Sequence, residues 1–550
     1  MESLSRSTKP IRLGIRRQTV VSRDARRVEA LMHREGRVDK GSRKSYEMKA
    51  GAVLSYALIG LQLVVAIIYT PLMLRLLGQA EYGIYSLVAS IVAYLSLLSF
   101  GLGGSYMRFY ARFRVVEDWD GVRRLNGMFL VMFTTMGLIA ALAGTFLAFN
   151  VAAVLGGQFS NGELETARVL FVILVVNLTI TFPSIVFNSY VISQERFVFQ
   201  KLLQIAGTIV SPLVVLPVLL LGYRSIGMAV AATAVNIALT VRTLTYCRSN
   251  LEMQFSFRGF DFGLLREVAV FSGYVFILTL VDQVNWNVDK FIIGRFRGAT
   301  SVAIYGVAAL FNVYYISFST AISSVFIPRV NRMVASSYSD KEISQLFTRV
   351  GRVQFLVLGL VVSGFVFFGR PFIDVWAGRN YGEAYVIAIL LMAPATVDLI
   401  QNLGIEIQKS KNLVKFRSWV YLAVAAGNIL LSISLTQRYG GIGAAAGTGI
   451  ALVIGNGIIM NWYYQARLGL DIKDFWRQIV RVSLGMVPAV IGGVIVSCTI
   501  DLHSISMVLL LGGAYVVVYA AGAWWLGMNE YERHLFGSPI KRLVARRSRA

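Results

Sequence analysis

From Gly51 to about residue 527 the chain consists of apolar runs of about twenty residues or more, separated by short basic or glycine-rich breaks. A helix rises about 1.5 Å per residue, so each run is long enough to cross a hydrocarbon core of about 30 Å. Inside lipid every backbone polar group must find its partner within the protein, which leaves only helices or a closed barrel. Barrel strands would be about ten residues long with strict alternation, and these runs show neither. A chain that is 56% hydrophobic and 15% charged therefore reads as an all-α polytopic membrane protein.

Fourteen spans are expected, at roughly 51–77, 83–107, 126–150, 168–193, 201–223, 225–247, 268–294, 303–328, 351–376, 384–407, 417–437, 440–464, 479–500 and 505–527. An even count puts both tails on one side. Of 53 Lys and Arg, 20 lie in the two tails, 23 in the six loops of the same side or the span ends beside them and 8 on the opposite side counted likewise, while Arg242 and Lys290 fall well inside spans. Basic residues collect in the cytoplasm, so both termini are expected there. Gaining or losing one span would invert every later loop and erase the bias.

The first 50 residues carry fourteen basic and six acidic side chains and no apolar stretch, so a cytoplasmic tail is expected and a cleaved signal peptide is not. The tail regions, 1–50 and 528–550, suit the anionic headgroups of membrane lipids. The net charge of +24 follows topology, and no nucleic-acid-binding fold has room to form, so no nucleic-acid partner is expected. Cys247 and Cys498 are distant and single, and His33, His503 and His534 are scattered, which argues against a disulfide framework or a metal site. Asp118, Trp119 and Asp120 form an Asp-x-Asp in a short loop that has no domain to hold a nucleotide. The connections opposite the tails run to about a dozen residues at most, around Gly156 to Ala167, too small for an outward catalytic domain such as a membrane glycan polymerase needs. Moving a substrate is favoured over making one.

An internal echo organises the spans. Arg75, Gly78, Ile84, Tyr85, Ala89 and Tyr94 recur 220 residues later as Arg295, Gly298, Ile304, Tyr305, Ala309 and Tyr314. Spans 1 and 7 are an even number of crossings apart, so the two copies run in parallel about an axis along the membrane normal. Two six-helix lobes follow, at 51–247 and 268–464, joined by a linker at 248–267. Spans 13 and 14, within 465–527, lie outside the repeat.

Charged groups in lipid cost about 2.5–3.5 kcal/mol on insertion scales unless they face protein or water. Span 7 carries Asp282, Asn285 and Asp289 at i, i+3 and i+7 on one face, with Lys290 beside the last. Their counterparts in the first half are Gln62, Val65, Tyr69 and Thr70. Span 8 places Tyr305, Asn312, Tyr315, Ser319 and Ser323 near one face, and span 10 adds Asp398, Gln401, Asn402 and Glu406. Helix-locking hydrogen bonds are the structural alternative for such groups. Arg75 and Arg295 stand on the outer side, against the charge rule and at matching places in the two halves.

The motifs N-V-D-K-F-I-I-G-R-F-R-G at Asn287 to Gly298, A-I-Y-G-V-A-A-L at Ala303 to Leu310, F-I-P-R-V at Phe326 to Val330, L-R-L-L-G-Q-A-E-Y-G-I-Y at Leu74 to Tyr85 and F-G-L-G-G-S-Y-M-R at Phe100 to Arg108 carry a resemblance. From about Gly51 onward the chain resembles the multidrug/oligosaccharidyl-lipid/polysaccharide exporter superfamily, and within it the Wzx-like polysaccharide flippases. The resemblance implies a multi-pass protein of the bacterial cytoplasmic (inner) membrane whose lobes rock about a central cavity and flip a polyprenyl-diphosphate-linked oligosaccharide.

Under that implication Lys290, Arg75, Arg295, Asn285, Asn312, Gln401 and Asn402 are candidate cavity or anion contacts, and Asp282, Asp289, Asp398 and Glu406 are candidates for ion coupling. No cofactor is expected beyond a coupling proton or sodium ion. Membrane lipids, a glycan polymerase and export machinery are the implied partners. Two departures bear on the substrate. Lipid II flippases carry an Arg-Asp pair where this chain has Tyr69 and Thr70, and many prokaryotic multidrug exporters use a span 1 acid, whereas no Asp or Glu occurs from Gly51 to Ala80. Cation-coupled drug export is the runner-up reading.

Overall fold

Three helices of the computed structural model are too long for a single crossing: Arg37–Leu95, Phe262–Ser324 and Val414–Leu452. The 63 residues of Phe262–Ser324 would measure about 95 Å if straight, roughly three times the hydrocarbon core. Each helix is interrupted at a glycine with positive φ, at Gly78 (76°), Gly298 (77°) and Gly440 (61°). A side chain in that backbone region costs roughly 1–2 kcal/mol, so glycine is the residue that can make the turn. Contacts across the turns show the chain doubling back: Tyr305 bonds to Asp289 across Gly298, and Ser432 to the Ala444 carbonyl across Gly440. The repeated Gly78 and Gly298 thus serve one structural purpose in both halves.

The structure describes residues 37–99, 102–258, 262–411, 413–500 and 504–537, and no strand occurs among them. Among the described residues eleven segments are long and apolar enough to cross a membrane. Three of them are folded pairs, which yields the expected fourteen crossings. Helices overrun the apolar runs where caps lie further out. Ser160 and Glu163 form a capping box that starts Asn161–Ser193, seven residues before the expected span, and Ser339 with Glu342 does the same for Asp340–Trp376. The Asp-x-Asp is also a helix start: Asp118 accepts from the Gly121 amide and Asp120 pairs with Arg123.

Span 10 departs from the expected single helix. Glu383–Ile400 ends at Gln401, and a separate helix, Asn402–Ser410, follows. Asp398 and Glu406 therefore do not share one face, because the break resets the helical phase between them. Span 12 contains a π-helical stretch, Val453–Met460.

The two hairpins containing the repeat pack directly on each other at the lobe boundary. Small residues permit the close approach. A Cβ at Gly83 would come within 1.9 Å of the Ala299 carbonyl oxygen, Gly294 backs onto Leu87, and Gly306 onto Ser86. Spans 13 and 14 lean on span 9 through Leu356, Phe368, Tyr515 and Tyr519. They are tied at the tail face by Arg352, which sits at 3% side-chain exposure against a fully buried Glu532. Its Nε and Nη2 donate to both Glu532 carboxylate oxygens at 2.6 and 2.9 Å, and Nη1 donates to the Gln478 Oε1 at 2.9 Å.

Candidate functional site

Asp289 lies on span 7 of the second lobe with 0% exposure. An acid there is tolerable only with partners, and the doubled-back hairpins supply them. The Tyr305 hydroxyl, on the other arm of the Gly298 turn, donates to Asp289 Oδ2 at 2.5 Å. The Thr448 hydroxyl of span 12 lies 2.6 Å from the same oxygen and 3.1 Å from Asn428 Oδ1 of span 11. Ser432, one turn beyond Asn428, donates to that Oδ1 at 3.0 Å. Asp289 Oδ1 has no hydrogen-bond partner among the described residues. Hydroxyls of spans 8 and 12 thus meet on one carboxylate, with the span 11 side chains Asn428 and Ser432 behind Thr448. A single carboxylate among neutral oxygens matches the charge of a proton or a monovalent hard cation, and among the described residues no group of three acidic, His or Cys side chains gathers for a metal of higher charge.

Lys290 follows Asp289 and points elsewhere. It is half-buried and forms no ion pair with any described residue. In the first half, Tyr69 takes the place of Asp289 and stands near Tyr85, the counterpart of Tyr305. The acid thus belongs to the second copy of the repeat alone.

A second polar cluster surrounds Asp398, whose side chain keeps 32% exposure. Arg417 approaches it at 3.6 Å, and Tyr421 donates to it at 3.3 Å. Arg417 also bonds to Tyr421, and its guanidinium stacks 4.3 Å from that ring. Tyr421 reaches Asn456 in the π-helical stretch at 2.7 Å, and Gln401 bonds to Asn461 at 2.8 Å. The kinked and π-helical segments of spans 10 and 12 thus meet through polar side chains, a pattern common at functional sites.

The remaining candidates are dispersed. Asn402 donates to Ser323 at 3.3 Å, Asn312 is buried with its Oδ1 unpartnered among the described residues, and Glu406 pairs with Lys409 at 2.8 Å near the tail face. The side chains of Asp282 and Asn285 lie outside the described residues. Arg75 and Arg295 sit at the face opposite the tails and reach across the lobe boundary in opposite directions. Arg75 donates to the Val375 carbonyl at 3.1 Å, and Arg295 to the Ala153 carbonyl at 3.1 Å. Gln79 donates to the Asn380 carbonyl at 2.7 Å, and Trp376 to the Ile67 carbonyl at 2.8 Å. These four bonds tie the lobes together on that face.

Thr448, Asn428, Ser432 and Arg417 are absent from the candidates that sequence reasoning picks out. Asn428 and Ser432 stand at i, i+4 in an apolar span, a polar stripe of the kind recognised on span 7. Arg417 falls on an expected span edge, where the charge rule alone accounts for it.

The family model described as polysaccharide biosynthesis protein matches residues 49–334. A putative O-antigen transporter of Shigella flexneri is 20% identical over 396 residues, covering 71% of this chain and 91% of the relative. Among solved structures, the lipid II flippase MurJ in an inward closed conformation superposes with a TM-score of 0.69 at 15% identity, over 86% of this chain and 97% of that one. An inward-facing multidrug resistance MATE family transporter of the MOP superfamily superposes at 0.57 with 14% identity, over 76% and 99%. These likenesses of structure show a shared fold. Because the family model covers more than half of the chain, the protein belongs to the polysaccharide biosynthesis protein family.

Proposed function

We propose that this protein carries a polyprenyl-diphosphate-linked oligosaccharide from the cytoplasmic to the outer face of the cytoplasmic membrane by alternating access, and that a proton or monovalent cation exchanging at Asp289 drives the cycle. The observation that carries this reading is the buried Asp289 carboxylate, ringed by Tyr305, Thr448, Asn428 and Ser432, on a helix that packs against the opposite lobe. Binding a cation there removes a buried negative charge, which changes the cost of each lobe arrangement and so shifts their populations.

Lys290, next along the helix, supplies the positive charge that a diphosphate needs in a medium of low polarity. The polyprenyl chain has an apolar path in the groove of about 450 Å³ between spans 9 and 14, walled by Phe365, Phe368, Phe372 and Gly512. Bonds between the lobes on the outer face leave the cytoplasmic side as the loading side, with both tails in the cytoplasm as the charge distribution requires. Family membership and the likeness to an O-antigen transporter support a glycan cargo. A glycan polymerase acting on the outer face is the natural consumer of the product.

Deleting the protein should cause lipid-linked oligosaccharide to accumulate on the inner leaflet. Asp289→Asn and Lys290→Ala chains, inserted at normal levels, should fail to relieve it. Normal export by either variant would remove that residue from the mechanism, and drug sensitivity without accumulated oligosaccharide would point to drug export.

A further inference from the structure

Tyr94 belongs to the repeated motif, yet the transport cycle described above gives it no part. Its hydroxyl is buried and has no hydrogen-bond partner among the described residues, and the same is true of Asp289 Oδ1. The two groups come from opposite lobes. Span 2 packs on span 7 where Leu87 meets Gly294, and Gly83 meets Ala299 just past the Gly298 turn. In an antiparallel pair, residue 94, two turns on from Leu87, faces position 287, two residues from Asp289. Asp289 is also the charged group whose field reaches the Tyr94 hydroxyl. The other described groups on Asp289, Tyr305, Thr448 and Ser432, all belong to the second lobe.

We propose that Tyr94 is the positioning residue through which the first lobe senses the coupling site: its hydroxyl donates to Asp289 Oδ1 while the carboxylate is charged and free, and lets go when a cation or proton takes that oxygen. The inference rests on the reading of Asp289 as the coupling site. An N-lobe donor adds a direct link from a change at Asp289 to lobe contact, because the C-lobe hydroxyls move with it. A hydrogen bond to a charged group changes the ratio of two lobe arrangements by about tenfold or more.

The test uses the full chain in lipid nanodiscs, with Cys498→Ser and spin labels on cysteines replacing Val116 and Tyr338, exposed positions on the tail-face loops of the two lobes. Distance distributions are recorded for the parent, Tyr94→Phe, Asp289→Asn and the double variant. Phenylalanine keeps the ring and removes only the hydroxyl. Both single variants should shift the distribution in the same direction, by about tenfold in population ratio. The double variant should shift no further than Asp289→Asn alone, since both remove one bond. A parent-like distribution in Tyr94→Phe alongside a shifted Asp289→Asn overturns the role of Tyr94 and leaves the coupling site standing, as do additive shifts in the double. An unshifted Asp289→Asn overturns the coupling site and the role of Tyr94 with it.

Discussion

Arg75 and Arg295, 220 residues apart in sequence, form reciprocal latches on the outer face, each donating to a carbonyl of the other lobe at 3.1 Å. Both bonds are solvent-exposed, so each contributes about 0.5–1 kcal/mol after screening, less than a buried charge-assisted bond. Replacing both arginines by alanine should cost the outward-closed arrangement about 1–2 kcal/mol, which raises the outward-open population roughly 5- to 30-fold. Gln79 and Trp376 keep their own bonds, so the face loosens without coming apart. The change can be read at Ser86, which is buried where span 2 meets Gly306 of the other lobe. On a Cys498→Ser background, Ser86→Cys should react with a membrane-impermeant maleimide added outside at a rate proportional to the open population. The double arginine variant should react roughly 5 to 30 times faster than the parent, and either single variant by an intermediate factor. An unchanged rate would refute the latch, and with it the assignment of this face as the closed one.

Other perturbations probe the scaffold. Glu532→Gln strands a buried guanidinium beside Gln478 and the Gly527 carbonyl, and should lower stability by about 3–5 kcal/mol in reversible unfolding; Arg352→Met with Glu532→Leu should recover most of the loss. Gly298→Ala forces a Cβ into left-handed backbone and should cost about 1–2 kcal/mol, seen as a lower melting temperature. Gly60→Ala, where a Cβ meets open space, should raise the melting temperature slightly.

The helical membrane fold was legible because lipid offers no partner to a free peptide group, so apolar length translates directly into crossings. The repeated hairpin was legible because Gly78 and Gly298 mark equivalent turns. Asp289 stood out as a charge in an apolar run, and its partner Tyr305 was visible as a repeated residue without the contact being visible. The broken span 10 was hidden, since neither Gln401 nor its neighbours carry a helix-breaking residue at the break. The exchange of Arg75 and Arg295 between lobes was hidden too: the phosphate contact expected of them and a lobe-to-lobe bond require the same residue at the same rim position, and only the neighbouring carbonyls tell the two arrangements apart.

Hydrophobic length, charge bias and repetition are properties of the chain read one residue after another, and they determined the crossings, the even count and the repeated hairpin. Which oxygens gather around Asp289 was decided only when spans 7, 8, 11 and 12 came together. Asn428, Ser432 and Thr448 are ordinary small polar residues in their own helices. They acquire a role because two hairpin turns bring Thr448 within hydrogen-bonding distance of a charge 159 residues away, with Asn428 accepting from Thr448 and Ser432 behind it, a proximity that packing creates and local sequence does not encode.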